Sequence, residues 1–289
     1  MKLPIYWIPL FLTVNIALLG LFLFHQKNII TKTTAAPTIT PIIRAIPIPN
    51  SPTCIRDPDI QFFMYHYIRT HDPRDNAYTR ELSVDPQEFR KQMSYLRDRA
   101  NEWKIILMNG WDLVSSIATN CFPGNHIWAF TSDDGWSDTY DQLFPIAREY
   151  RVPFFLGIIT DRIGATGFVT SKEVREISED PLFTISSHSM THDEQDKMSI
   201  EVERREMCES KKILENLIEK PVLTYIYPIG KMGQNSQKIA RECWYSLAWS
   251  TGLGTKWNPT NPSRYDINRI RIHHDTTIDI FAELIQEWK

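Results

Sequence analysis

Two patterns of apolar and polar residues divide the chain. Residues 3–24 form an uncharged, predominantly apolar run, close in length to the roughly 20 residues that a bilayer-spanning helix needs. From residue 60 onward, short apolar runs alternate with stretches in which apolar positions recur every three or four residues, as buried strands alternating with amphipathic helices would. Residues 61–67 (QFFMYHY) read as a strand. A helix then opens at Asp85, with Pro86 at its first position, Glu88 placed to complete a capping box, and Phe89, Met93 and Leu96 along one face. Residues 103–108 read as a strand, 111–117 as a short helix, 127–130 as a strand and 139–150 as a helix. The run 153–159 (PFFLGII) is apolar throughout, as a parallel strand covered on both faces should be. Thr170 and Glu173 frame a second capping box, opening a helix to about residue 178. A strand at 182–185, a long charged helix at 199–219 and a strand at 222–227 follow, and 237–243, 245–249 and 269–272 continue the alternation. A last helix from Thr276 or Thr277 carries Ile280, Phe281, Leu284, Ile285 and Trp288 on one face. About eight strands alternating with helices predict a parallel α/β fold, a barrel. No internal repeat is present.

Charge changes this picture at the N-terminus. Overall the 289 residues carry a net charge of −3, which does not point to nucleic acid as a partner. Residues 1–56, however, contain no Asp or Glu, only Lys2, Lys27, Lys32, Arg44 and Arg56. A cleavable signal would have a core of about 7–15 apolar residues followed by a small-x-small site; here His25-Gln26-Lys27 follows instead. Residues 1–25 are therefore expected to be an uncleaved signal anchor, one transmembrane helix in the cell membrane, with Lys2 placing the N-terminus inside. Residues 26–56, with Pro37, Pro41, Pro47, Pro49 and Pro52, read as a Pro/Thr-rich extracytoplasmic linker that tethers a folded domain over residues 57–289. Of the four cysteines, Cys54, Cys121, Cys208 and Cys243, none has C-x-x-C spacing. Two disulfides in any of three pairings, or a set of free buried thiols, fit equally.

The candidate chemistry sits at two strand ends. In His126-Ile127-Trp128-Ala129-Phe130-Thr131-Ser132-Asp133-Asp134-Gly135-Trp136, an apolar run ends in adjacent carboxylates. Two such groups repel unless a positive charge separates their roles or one keeps its proton; taken alone, Asp-Gly is ordinary turn composition. In Ile185-Ser186-Ser187-His188-Ser189-Met190-Thr191-His192, two histidines four residues apart follow another apolar run. An isolated H-x-x-x-H is a weak signal. Two imidazoles with one carboxylate, though, are a common donor set for a catalytic zinc with open positions. If Asp134, His188 and His192 hold a divalent metal, one carboxylate of the pair is neutralised. Asp133 is then left beside the metal-bound water as its general base. Each half accounts for the oddity of the other.

With these motifs in view, residues 60–287 resemble the polysaccharide deacetylase family, the NodB-homology domain of carbohydrate esterase family 4. The family's T-F-D-D corresponds to Thr131-Ser132-Asp133-Asp134, and its H-[ST]-x-x-H to His188-Ser189-Met190-Thr191-His192. Further similarity runs through Met64-Tyr65-His66, Ser210-Lys211-Lys212-Ile213-Leu214-Glu215 and Ala248-Trp249-Ser250-Thr251. The resemblance implies a distorted (β/α) barrel of seven or eight parallel strands. It also implies a metal on Asp134, His188 and His192, with Asp133 as base. Where many members have R-x-P-[YF], with the Arg orienting the catalytic Asp, this chain has Ile226-Tyr227-Pro228-Ile229-Gly230. That is nearer the run of the poly-N-acetylglucosamine deacetylases, and Ile229 would offer its backbone N–H to the oxyanion. The family's general acid, usually a His near the C-terminal strand, falls on His274 or His273. Ser132 and Ile229 replace aromatic residues; Trp136 and Trp249 could supply sugar-stacking faces.

The expected activity is metal-dependent removal of N-acetyl groups from N-acetylglucosamine in a cell-wall or exported polysaccharide, outside the membrane, with zinc as the metal. The rival readings are a catalytically inactive glycan-binding domain that kept the fold, and a metal-dependent amide hydrolase on a small non-sugar substrate.

Overall fold

Every pair in the central sheet is parallel, as the continuous apolar runs require. The computed structural model describes residues 54–252, 257, 259 and 264–286. The expected membrane anchor and the linker up to residue 53 lie outside the described residues, among which no helix is long and apolar enough to cross a membrane. In chain order the strands are β1 (Asp59–Tyr65), β2 (Tyr67–Ile68), β3 (Ser83–Val84), β4 (Ile106–Leu107), β5 (His126–Ser132), β6 (Phe154–Ile158), β7 (Phe183–Ser187), β8 (Thr224–Ile226), β9 (Leu247–Trp249) and β10 (Ile270–Arg271). The helices are α1 (Ala77–Glu81), α2 (Pro86–Trp103), α3 (Gly110–Thr119), α4 (Phe144–Tyr150), α5 (Ser171–Glu179), α6 (Ile200–Ile218), α7 (Ser236–Glu242) and α8 (Ile278–Gln286).

Eight strands form the main sheet in the order β10-β1-β5-β6-β7-β8-β9, with β4 sharing an edge of β5; β2 and β3 pair separately. On that shared edge β4 meets Ile127 and Trp128, and β6 takes over from Phe130 to Ser132. Among the described residues, the two ends of the sheet meet through a single bridge, Trp249 to Ile267, just ahead of β10. The result is a strongly curved, incompletely closed barrel. Because all its strands run the same way, their carboxyl ends gather at one rim.

Alternation along β1 shows why the strands are apolar throughout. Phe63 and Tyr65 join one core cluster with Phe89, Met93 and Leu96 of α2 and Met207 and Leu214 of α6. Ile60 and Phe62 point the other way, into a second cluster with Ala129, Phe155, Trp249 and Leu113 of α3. Both faces are covered, one by the helical layer and one by the barrel interior. Trp249 is fully buried there, which removes it as a sugar-stacking surface.

Local signals held unevenly. The Thr170–Glu173 capping box forms in full. At α2, Asp85 caps by accepting from Gln87, but no box closes, because Glu88 accepts the N–H of Ile278 at the start of α8 and pairs with Lys91. Trp103 ends α2 rather than starting a strand, since Lys104 adopts the left-handed conformation that stops the helix. The expected helix at 139–150 begins as a π-turn, Thr139–Leu143, ahead of Pro145, which has no N–H to continue a regular ladder. On α8, Phe281 and Ile285 are buried but Ile280 is 47% exposed. The cysteines are bridged as Cys54–Cys121 and Cys208–Cys243, with Cα separations of 5.0 and 5.2 Å. The first fastens the entry of the domain ahead of β5, and the second ties α6 to the end of α7.

Gly157 in β6 lies under the rim with no room for a side chain: a Cβ there would sit 2.8 Å from Ile226 Cδ1 and 3.4 Å from His188 Cβ. Gly157→Ala should destabilise the domain by about 1–3 kcal/mol through overpacking, read by urea denaturation. Adding Ile226→Val, which removes the clashing methyl, should recover part of that loss.

Candidate active site

The rim brings together β1, β5, β7, β8 and β10. After β5 the ladder continues one residue, Asp133 N–H donating to Tyr65 O at 3.1 Å, and then the chain turns through Asp134 and Gly135 with φ of 75° and 74°. Asp tolerates the left-handed region better than most residues with a side chain. The turn sends the two neighbouring carboxylates in different directions.

Asp133 meets a guanidinium. Arg269, fully buried ahead of β10, donates from its two terminal nitrogens to Asp133 Oδ1 and Oδ2 at 2.7 and 2.9 Å. The same guanidinium is held by Thr131 Oγ1 at 2.8 Å and Ser250 O at 3.2 Å. Burial pushes the Asp133 carboxyl up, but Arg269, His66 and His188 outweigh it and leave it below the usual carboxylate range. Asp133 is thus an oriented, ionised acceptor at neutral pH.

Asp134 meets the two histidines instead. Its Oδ1 lies 3.3 Å from Nε2 of both His188 and His192, and its Oδ2 accepts from the Trp136 indole at 2.9 Å. The three donor atoms lie within 4.8 Å of one another. His188 Nδ1 is 2.8 Å from the Ile226 carbonyl. A carbonyl only accepts, so Nδ1 carries a hydrogen; Nε2 is the nitrogen that faces Asp134, and the neutral ring is therefore the Nδ1–H form. That is the tautomer a metal-ligating imidazole needs, already set by its other hydrogen bond. The residues fit a divalent metal.

Around this cluster lies a cavity of about 510 Å³ that includes His66, Tyr78, Trp136, Ile229 and Arg271 in its wall. His66 follows β1 directly, is nearly buried, and places Nε2 3.9 Å from Asp133 Oδ2. Burial, with Arg269 and Arg271, lowers its pKa; Asp133 and Asp134 act in the opposite sense. Ser132, in the place of an aromatic, donates to the His66 carbonyl at 3.2 Å and so steadies this residue. Ile229 reaches the rim with a φ of 58°, a conformation costly for a β-branched residue. Trp136 is stacked between Tyr67 and Phe168, with centroid separations of 4.6 and 4.2 Å.

Neither histidine expected to be the acid reaches the cavity wall. The ladder with β1 ends where Ile272 N–H meets Met64 O, and the chain then turns, Thr276 N–H bonding to His273 O. His273 Nδ1 faces Glu81 at 3.5 Å. The His274 N–H donates to the Glu81 carbonyl, and its ring neighbours His71 at 5.9 Å. Arg269 and Arg271, two residues apart at the last strand, both reach the site. Arg269 and His66 are the residues that sequence reasoning missed. A histidine within the apolar run FFMYHY was a visible signal for His66; nothing local marked Arg269.

Comparison with known proteins agrees with this geometry. The family model described as Polysaccharide deacetylase matches residues 123–248, a segment that contains Asp133, Asp134, His188, His192 and Ile229. A poly-beta-1,6-N-acetyl-D-glucosamine N-deacetylase of Staphylococcus epidermidis is 26% identical over 247 residues, covering 78% of this chain and 81% of that protein. The enzyme of the same name from Staphylococcus aureus is 24% identical over 224 residues, covering 72% and 73%. Among solved structures, the Streptococcus pyogenes deacetylase PplD, in complex with acetate, aligns with a TM-score of 0.70 and 22% identity over 82% of this chain and 100% of its own. That last likeness establishes a shared fold.

Arg269→Gln should cost about 3–5 kcal/mol at pH 7 by leaving a buried carboxylate without its charge partner. In the wild type the folded-state pKa of Asp133 lies below its unfolded value, so the stability it contributes is present above the unfolded pKa and is lost as pH falls through the folded one. The stability gap between wild type and variant should therefore be widest near pH 7 and narrow as Asp133 is protonated, as read by urea denaturation followed by circular dichroism at a series of falling pH values.

Proposed function

We propose that this chain, which through residues 123–248 belongs to the polysaccharide deacetylase family, hydrolyses N-acetyl groups from N-acetylglucosamine residues of an exported or cell-wall polysaccharide, with a divalent metal as cofactor. The observation that carries this reading is a single cavity holding an ionised, Arg-clamped Asp133, a second proton-handling group in His66, and the donor cluster Asp134, His188 and His192. The poly-N-acetylglucosamine enzymes that this chain resembles over most of its length support that class of polymer as substrate.

A cation on Asp134, His188 and His192, zinc by the imidazole and carboxylate donor set, would polarise the acetyl carbonyl and acidify a water. Asp133 takes the proton of the attacking water, its two oxygens fixed by Arg269. The Ile229 N–H at the rim would donate to the oxyanion that develops on the carbonyl. His66, across from Asp133, takes up the proton that Asp133 accepted and passes it to the nitrogen, which leaves as an amine when the C–N bond breaks, and the acyl group departs as acetate. His66 takes the role that the position of His274 and His273 along the chain had suggested. The disulfides Cys54–Cys121 and Cys208–Cys243 support an oxidising setting outside the cytoplasm. The apolar run at residues 3–24 would then anchor the domain to the cell membrane, with the Pro/Thr-rich segment as tether.

Acetate release from β-1,6- and β-1,4-linked N-acetylglucosamine oligomers, with metal content measured alongside, tests this reading. Asp133→Asn and His66→Gln should each lower kcat by about 10²–10⁴ while keeping the metal, whereas His273→Gln and His274→Gln should stay near wild type. Wild-type protein that binds metal but releases acetate from no oligomer would refute the sugar substrate. Loss of activity in His274→Gln but not His66→Gln would reverse the assignment of the acid.

A further inference from the structure

We infer that Glu206 is the positioning residue of the metal centre: its buried carboxylate holds the turn that brings His192 against Asp134. The inference rests on the reading that Asp134, His188 and His192 hold a metal.

His188 and His192 can converge on one carboxylate only if the four-residue step between them is bent back sharply. The bend places two non-glycine residues, Ser189 and His192, in the left-handed region, with φ of 65° and 71°. Such conformations persist only where surrounding contacts over-determine them. The hydrogen bonds of the segment account for this. The carbonyls of Ser189 and Met190 accept the N–H groups of Thr160 and Asp161 at 3.2 and 3.1 Å. The His192 N–H donates to Ser189 Oγ at 2.9 Å. The N–H groups of Met190 and Thr191 both donate to the same oxygen, Glu206 Oε2, at 2.9 Å each.

Glu206 reaches them from α6 and is 1% exposed. Among the described residues no Lys, Arg or His forms an ion pair with it. A buried carboxylate without a cation is costly unless fixed dipoles replace its water, and the two converging N–H groups of this turn are such dipoles. A charged acceptor also binds them more strongly than a neutral one would. Three residues earlier on the same helix, Glu203 is equally buried but accepts from Ser236 at the start of α7. The two glutamates thus share an environment and differ in what they hold: Glu203 a helix junction, Glu206 the ligand turn.

The experiment is a chelator competition for Co²⁺ on metal-stripped protein, with the visible spectrum of the bound Co²⁺ as a report on ligand geometry. Glu206→Gln should weaken Co²⁺ binding about 10- to 100-fold, the range for residues that orient a metal's ligands, and alter the spectrum. Glu203→Gln should lower the Tm and leave affinity and spectrum unchanged. Wild-type affinity and spectrum in a folded Glu206→Gln, or equal weakening in Glu203→Gln, would overturn the inference while leaving the metal centre in place. Should Glu206→Gln not fold, Glu206→Asp carries the test: it keeps the charge but withdraws it by one methylene, so weakened Co²⁺ binding supports the positioning role and unchanged binding refutes it. Wild-type protein that takes up no Co²⁺ would remove the metal centre and this inference with it.

Discussion

The site depends on separating two consecutive carboxylates. Asp133 and Asp134 are both buried at the end of one strand, where their mutual repulsion would ordinarily force one to keep its proton. The left-handed turn at Asp134 divides them geometrically, and each then finds its own partners: a guanidinium for Asp133, two imidazoles for Asp134. A carboxylate kept ionised by a fixed Arg is a ready proton acceptor. A carboxylate facing two imidazole nitrogens completes a donor set that fits a divalent metal. Identical side chains one residue apart thus acquire different chemistry from their surroundings, and the rest of the rim serves to maintain that difference.

The parallel sheet is what makes this possible at low cost in chain length. With all strands running one way, β1, β5, β7 and the segment entering β10 deliver His66, Asp133, His188 and Arg269 to one rim, although these residues span most of the domain in sequence. The layers behind the rim are apolar on both faces, so the strand ends have little freedom to shift. Arg269 illustrates the coupling. Its contacts to Thr131, Asp133 and Ser250 bind together the ends of β5, β9 and β10 where the sheet closes through the Trp249–Ile267 bridge. The same guanidinium orients Asp133 and helps to fasten the barrel.

Much of this was legible in the residues. Apolar runs and helical periodicity located nearly every strand and helix, and the two strand-end motifs named Asp133, Asp134, His188 and His192. Errors arose where a local signal met a stronger distant partner. Glu88 had the spacing of a capping box but a partner at Ile278. Ile280 lay on the apolar side of the periodicity but at the edge of the buried stripe. His273 and His274 follow the last strand in sequence, but the ladder ends at Ile272 and the chain then turns, leaving both outside the cavity wall.

The two omissions, Arg269 and His66, share a physical cause. The run Ile226-Tyr227-Pro228 lacks the Arg that a resemblance would place there, and a reading along the chain counts that Arg as missing. Around the barrel it is not missing. The sheet order β10-β1-β5 sets the last strand and the first strand beside each other and next to the strand that ends in Asp133. A guanidinium supplied from the C-terminal segment and an imidazole supplied from β1 therefore reach the same carboxylate from neighbouring positions. What the chemistry constrains is the distance of a charged or protonated group from Asp133, and any strand end within that distance can supply it. The position of a residue in the chain says which strand it belongs to; only the order of strands in the sheet says which carboxylate it meets.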